Sequence, residues 1–146
     1  MFEDSVLRLD CGPMRVQRIL YIGLSVRDAR RSADWWRELL GMEVEKENFN
    51  SENWPASWNE VQLIHPESGF QIGFIEHPQN PGDEFSEFQT GLDHIELEVA
   101  SRDDLEHWRE RLDALGISHS GIKDDHIIVV RDPDNIQFEF FLPERD

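Results

Sequence analysis

The segments LYIGLSV at positions 20–26 and DHIELEV at positions 93–99 are two versions of one strand, and that pairing decides the fold. In the first, Leu20, Ile22, Leu24 and Val26 alternate with Tyr21, Gly23 and Ser25. In the second, Ile95, Leu97 and Val99 alternate with His94, Glu96 and Glu98. A period of two is the mark of a strand buried on one face. Working outward, each strand runs into a helical pattern. Asp28 stands where an N-cap is wanted, and Ala33, Trp36, Leu39 and Leu40 repeat at helical spacing up to Gly41. In the second copy Ser101 and Asp104 resemble a capping box, and Leu105, Trp108, Leu112 and Leu115 form an apolar stripe that Gly116 ends. Each copy closes on a strand after a turn, SGFQIGF at 68–74 and DNIQFEF at 134–140. Further strands are predicted near 42–46, 60–64, 117–120 and 126–130, with Asp132-Pro133-Asp134-Asn135 as a hairpin turn.

The chain therefore reads β-α-β-β-β twice. The expected organisation is an arm over 1–17, a first unit over 18–79, a polar, proline-punctuated linker over 80–91 and a second unit over 92–143. The class is α+β. One helix covers one face of each sheet, and the opposite face is free to cup around a cavity. Composition agrees with a packed domain: 146 residues, 38% hydrophobic and 10% aromatic, are enough for a core. Fourteen Lys and Arg against 31 Asp and Glu give a formal charge of −17, which argues against nucleic acid and anionic membrane as partners. Cys11 is the sole cysteine, so no internal disulfide framework is available, as suits a reducing cytosol. No apolar run approaches membrane-spanning length, and the expected location is cytoplasmic.

The strings YIGLSVRD at 21–28, Trp36 with Leu39-Leu40-Gly41, GLDHI at 91–95, and RDPD at 131–134 leading to Glu139 resemble the vicinal oxygen chelate superfamily, the glyoxalase, bleomycin-resistance and extradiol dioxygenase group. The resemblance spans roughly residues 18 to 143 and implies paired, glyoxalase-like βαβββ units forming a cupped mixed sheet around one cavity. It implies, for metal-dependent members, ligands from the first and last strand of each unit. Those positions here are Tyr21, Gly73, His94 and Glu139. His94 and Glu139 match the ligand types; Tyr21 and Gly73 do not. The resemblance also implies units that pair within one chain or across a homodimer.

Alternation supports part of this independently. If Ile95, Leu97 and Val99 pack under the helix, His94, Glu96 and Glu98 point to the other face. By the same parity Gln137, Glu139 and Phe141 lie on the cupped side while Phe138 and Phe140 go to the core. Imidazole and carboxylate are two-thirds of a non-haem iron triad and also suit manganese, nickel or zinc. A third ligand is wanted, and Tyr21, His77 and His126 are the stray candidates. Without metal, Tyr21, His94 and Glu139 form a candidate acid/base set. The expected pocket wall adds Trp54, Trp58, Gly73, Glu96, His126 and Phe141, with Phe49, Phe85 and Phe88 as further apolar candidates. Arg27, Arg30, Arg31 and Arg37 read as a solvated helix face.

The leading expectation is a metal-independent small-molecule protein, binding an aromatic or cationic organic ligand or performing acid/base chemistry on it, with no cofactor. The alternative is a lyase, isomerase or dioxygenase holding one divalent metal (Fe, Mn, Ni or Zn) through His94 and Glu139. A third reading is a structural domain whose cavity is filled by its own side chains.

Overall fold

The computed structural model describes residues 15–49 and 58–144. Its elements are β1 (Tyr21–Ser25), α1 (Ala29–Leu40), β2 (Glu43–Asn48), β3 (Asn59–Ile64), β4 (Gln71–Glu76), β5 (Ile95–Glu98), α2 (Arg102–Ala114), β6 (His119–Lys123), β7 (Ile127–Arg131) and β8 (Gln137–Phe141). They form two four-stranded mixed sheets, ordered β1-β4-β3-β2 and β5-β8-β7-β6. In each, the first strand runs parallel to the last and the other pairings are antiparallel. The strands β1 and β5 are thus edge strands, with β2 and β6 at the opposite edges. The repeat seen in the sequence is a repeat of topology.

Local chemistry explains the elements. Asp28 sits in extended backbone and its carboxylate accepts the Arg31 N–H at 3.0 Å, capping α1. The helix ends where Gly41 enters the left-handed region at φ 66°, its N–H returning to the Arg37 carbonyl. Ser101 caps α2 through the Asp104 N–H, and Asp104 reaches back to the Ala100 N–H at 3.2 Å, close to a capping box. Gly69 and Asn135 both take positive φ in the turns before β4 and β8.

The core lies between helices and sheets. Trp36 is fully buried, with its ring 6.0 Å from Phe74 of its own sheet and 4.5 Å from Phe138 of the other. Truncating it to alanine would cost about 3–5 kcal/mol. Trp108 is half-buried and stacks on Phe140 at 4.3 Å. One side chain of α1 therefore belongs to both units.

Polar groups reinforce that junction. Asp132 and Asp134, read in the sequence only as turn residues, are buried and grip α1. Asp132 Oδ1 accepts the Asp134 and Ile136 N–H groups at 2.9 Å each, and its Oδ2 accepts the Trp36 indole N–H at 3.0 Å. Asp134 accepts the Arg27 Nε–H at 2.6 Å and the Ser32 hydroxyl at 3.0 Å, while Arg31 lies 3.6 Å away. Burial pushes the Asp132 carboxyl up, opposed by its donors. The expectation of a solvated arginine face is corrected at Arg27, whose partner is 107 residues away. At the other end Arg111 of α2 donates to the carbonyls of Leu39 and Glu38. Among the described residues no helix is long and apolar enough to cross a membrane.

Candidate functional site

The parallel register of β5 and β8 sets Glu96 directly beside Glu139. His94, one residue before β5, shares their face. Its Nε2 lies 3.6 Å from Glu96 Oε1 and 3.8 Å from Glu139 Oε2, and the three side chains offer donor atoms all within 4.8 Å of one another. On the far side of the ring, Nδ1–H donates to Asp93 Oδ1 at 2.6 Å. That bond holds the ring with Nε2 toward the two glutamates. It is also the largest influence raising the His94 pKa above its ordinary value; Glu139 and Glu96 add to it and partial burial opposes.

Glu139 is 7% exposed and its orientation is fixed by a relay. Glu87 accepts from the Arg131 guanidinium at 2.7 Å, Arg131 donates to Gln137 Oε1 at 2.9 Å, and Gln137 Nε2 donates to Glu139 Oε1 at 3.0 Å. Since Gln137 spends its carbonyl on Arg131, its amide N–H must face Glu139. Oε2 is left for His94.

The equivalent place in the first unit is built differently. Gly23 and Gly73 are register partners there, as Glu96 and Glu139 are in the second unit. The Tyr21 ring lies across them: a Cβ on Gly73 would stand 1.8 Å from the Tyr21 hydroxyl, and one on Gly23 would stand 3.2 Å from the ring. The hydroxyl donates to Glu60 Oε1 at 2.9 Å, and Trp58 Nε1 donates to Glu60 Oε2 at 3.4 Å. Trp58 in turn lies 6.4 Å from the His77 ring. Burial, then the bond to Glu60 and its charge, push the Tyr21 phenol up, so it stays neutral and acts as a donor.

The remaining sequence candidates fall as follows. His126, just before β7, engages the Asp124 carbonyl through Nδ1 at 2.7 Å and meets Phe141 edge-on at 5.5 Å; it is not among the three clustered donors. Phe49 packs under Arg30, 3.9 Å from the guanidinium carbon, and Phe88 is 92% exposed. Trp54 lies outside the described residues. Glu96 was placed on the right face from sequence parity, but as pocket wall rather than as a third donor. Asp93, Glu60 and Arg131 were missed, and Gln137, on the cupped side by parity, had no role assigned. Asp93, adjacent to His94, and Gln137 are the ones with a sequence signal.

A cavity of about 610 Å3 separates the open edges of the two sheets. It takes residues from the start of β1, from β5, and from the helical side at Trp36 and Trp108.

Comparison with known proteins fits this geometry. Residues 18–140 match the description "Glyoxalase/Bleomycin resistance protein/Dioxygenase superfamily". The chain belongs to that superfamily. It is 27% identical to a glyoxylase/bleomycin resistance protein/dioxygenase domain from Frankia sp. EAN1pec, with a TM-score of 0.77 over 89% of this chain and 100% of that one. The fosfomycin resistance protein FosX from Listeria monocytogenes has the same fold at 18% identity, with a TM-score of 0.65 over 89% of this chain and 94% of its own. In Bacillus subtilis (strain 168), the protein named "Putative ring-cleaving dioxygenase MhqA" is 25% identical over 115 residues, 75% of this chain. The superfamily chain described here matches about a third of that relative, 34% of its length.

Proposed function

We propose that this superfamily member is a divalent-metal-dependent enzyme acting on a small organic molecule, with His94, Glu96 and Glu139 as the protein ligands. The observation that carries this is the disposition of His94. Its Nε2 faces two carboxylates while Asp93 holds Nδ1, the arrangement in which a metal-bound imidazole is oriented by a second carboxylate.

The donor set passes a test of fit. Three atoms bonded to one ion at about 2.0–2.2 Å lie roughly 3–3.6 Å apart, close to the 3.6 and 3.8 Å found around Nε2. Three carboxylates crowd a single imidazole, and like charges so placed repel unless a cation lies among them. One nitrogen and two carboxylate oxygens form a hard set, favouring Mn or Fe over Ni and Zn. When bound, the ion would supply Lewis-acid polarisation of a substrate oxygen. The set has one histidine where non-haem iron oxygenases use two, which favours redox-neutral lyase or isomerase chemistry over ring cleavage. In the first unit the Tyr21 and Trp58 rings, whose polar hydrogens are engaged by Glu60, offer apolar surface for the body of the substrate.

The metal-independent reading draws on a different observation: Tyr21 fills the space that a donor at Gly73 would need, so the first unit brings no ligand. One experiment separates the two. Chelator-stripped protein is titrated with Mn, Fe, Ni and Zn, and bound ion is measured by elemental analysis after gel filtration. The metal reading expects one ion per chain, lost in Glu96→Gln and Glu139→Gln and kept in Tyr21→Phe. Absence of uptake with all four ions overturns it in favour of the metal-free reading.

A further inference from the structure

The internal repeat makes two junctions between the units, and only one of them is closed. At the closed junction Arg27 binds Asp134, and Trp36 packs on Phe138. Main-chain bonds fix which residues stand in those places at the other junction. The Val26 N–H donates to the Ile75 carbonyl as the Val99 N–H donates to that of Phe141, both at 2.9 Å, so Ala100 corresponds to Arg27. Ser68 precedes the left-handed Gly69 as Asp134 precedes the left-handed Asn135, so Ser68 corresponds to Asp134. Four residues further on, Ile72 corresponds to Phe138. Arginine, aspartate and phenylalanine have become alanine, serine and isoleucine.

The space these substitutions leave is the 610 Å3 cavity, which Ala100, Ser68 and Ile72 all line. Its size lies within the range of small-molecule sites. Trp36, Trp108, Phe140 and Leu97 make apolar walls. At its mouth Ile19 is 81% and Leu20 55% exposed, so apolar surface stands in water at the entrance. Glu67, Glu98 and Asp104 contribute carboxylates, and no Lys or Arg is among the described residues that line it. Leu97 and Phe140 belong to the helix-side face, opposite to that of His94 and Glu139, while Tyr21 and Glu96 of the cupped face also border the cavity.

We infer that this unclosed junction is a binding site, adjoining the cupped face along the β1 and β5 edges, for an organic cation with a flat apolar body. The body fits against the half-buried Trp108 indole and the neighbouring apolar wall and excludes water from them. The positive charge meets the acidic rim beside that indole, and aromatic faces attract cations. An anion of the same shape would meet more carboxylates than bases, since Glu67, Glu96, Glu98 and Asp104 line the cavity against His65 alone among the described residues.

The test uses three probes of similar ring size: N-methylquinolinium, 2-naphthol and naphthalene-2-sulfonate, titrated into the full chain by isothermal calorimetry. The cation is expected to bind at least tenfold more tightly than the sulfonate, with 2-naphthol between them. Rebuilding the clasp with Ser68→Asp and Ala100→Arg should weaken the cation at least tenfold. Ile72→Phe, the smaller change, should act in the same direction and serves if the double variant does not fold. Chelator-stripped protein should bind the cation as metal-loaded protein does, so failure of the metal reading leaves this result untouched. Silence of the cation, equal or tighter binding of the sulfonate, or unchanged affinity in the clasp variants would each overturn the inference. A clasp variant that changes oligomeric state by sedimentation would also overturn it, in favour of a second copy as the occupant.

Discussion

Replacing Gly73 with alanine tests the first-unit site by the smallest possible change. The new Cβ would stand 1.8 Å from the Tyr21 hydroxyl and 2.4 and 2.6 Å from two ring carbons, where real contacts do not fall below 3.0 Å. The hydroxyl must therefore retreat by at least about 1.2 Å, on a ring that already lies close over Gly23. That shift breaks or drags the 2.9 Å bond to Glu60. Overpacking of this kind costs about 1–3 kcal/mol, and losing a half-buried bond to a carboxylate adds about 1–2 kcal/mol. Against this, alanine is better than glycine inside a strand by roughly 0.5–1 kcal/mol. The net expectation is a loss of about 2–3 kcal/mol, read as a fall in the urea midpoint by tryptophan fluorescence. In a Tyr21→Ala background the obstacle is gone, and Gly73→Ala should become neutral or stabilising by about 0.5 kcal/mol. A coupling below about 0.5 kcal/mol between the two substitutions would refute the reasoning, because the phenol would then not occupy the place of the missing side chain.

Tyr21 is the chain's only tyrosine, so its phenolate absorbance near 295 nm reports one group. The folded pKa is raised above the unfolded value of about 10, so the neutral phenol's contribution to stability is intact below pH 10 and lost as pH rises further. Absorbance should appear only with alkaline unfolding; a reversible titration near pH 10 in folded protein would contradict the bond to Glu60. Arg27→Met leaves Asp134, 2% exposed, without its closest cation and should cost about 2–3 kcal/mol in thermal unfolding; a change below 0.5 kcal/mol would show that Arg31 and Ser32 suffice. Asp93→Asn should weaken metal affinity by about 10–100-fold while leaving the thermal midpoint of metal-free protein nearly unchanged, and affinity within threefold of the parent would remove Asp93 from the site.

The fold was legible because its signals are local. Alternation, the Asp28 and Ser101 caps and the glycines after each helix need no distant partner to be read, and each reappears in the structure except at Leu20, which lies before β1 and is 55% exposed. The site was only half legible. Parity places His94, Glu96 and Glu139 on one face, but what brings Glu96 beside Glu139 is the β5–β8 register, a pairing across 43 positions that no window of sequence contains. Arg27 sits among other arginines and was read with them, yet its environment is set by a turn in the other unit. Gly73 looked like a lost ligand; with Tyr21 above it and Glu60 alongside, it is the floor that makes room for a ring.

The same two register positions thus hold opposite solutions. In the second unit facing strands carry two carboxylates, and like charges so close repel unless something positive lies between them. His94 Nε2 points there, so a proton on that nitrogen or an ion bound to it relieves the repulsion, and the two compete for one lone pair. In the first unit the facing pair is two glycines roofed by a neutral phenol, and the one nearby carboxylate, Glu60, accepts from that phenol and from the Trp58 indole. A ligand that met both places would find charge at one and an aromatic ring at the other. It would be held in one direction only, which a symmetric four-ligand site could not impose by itself.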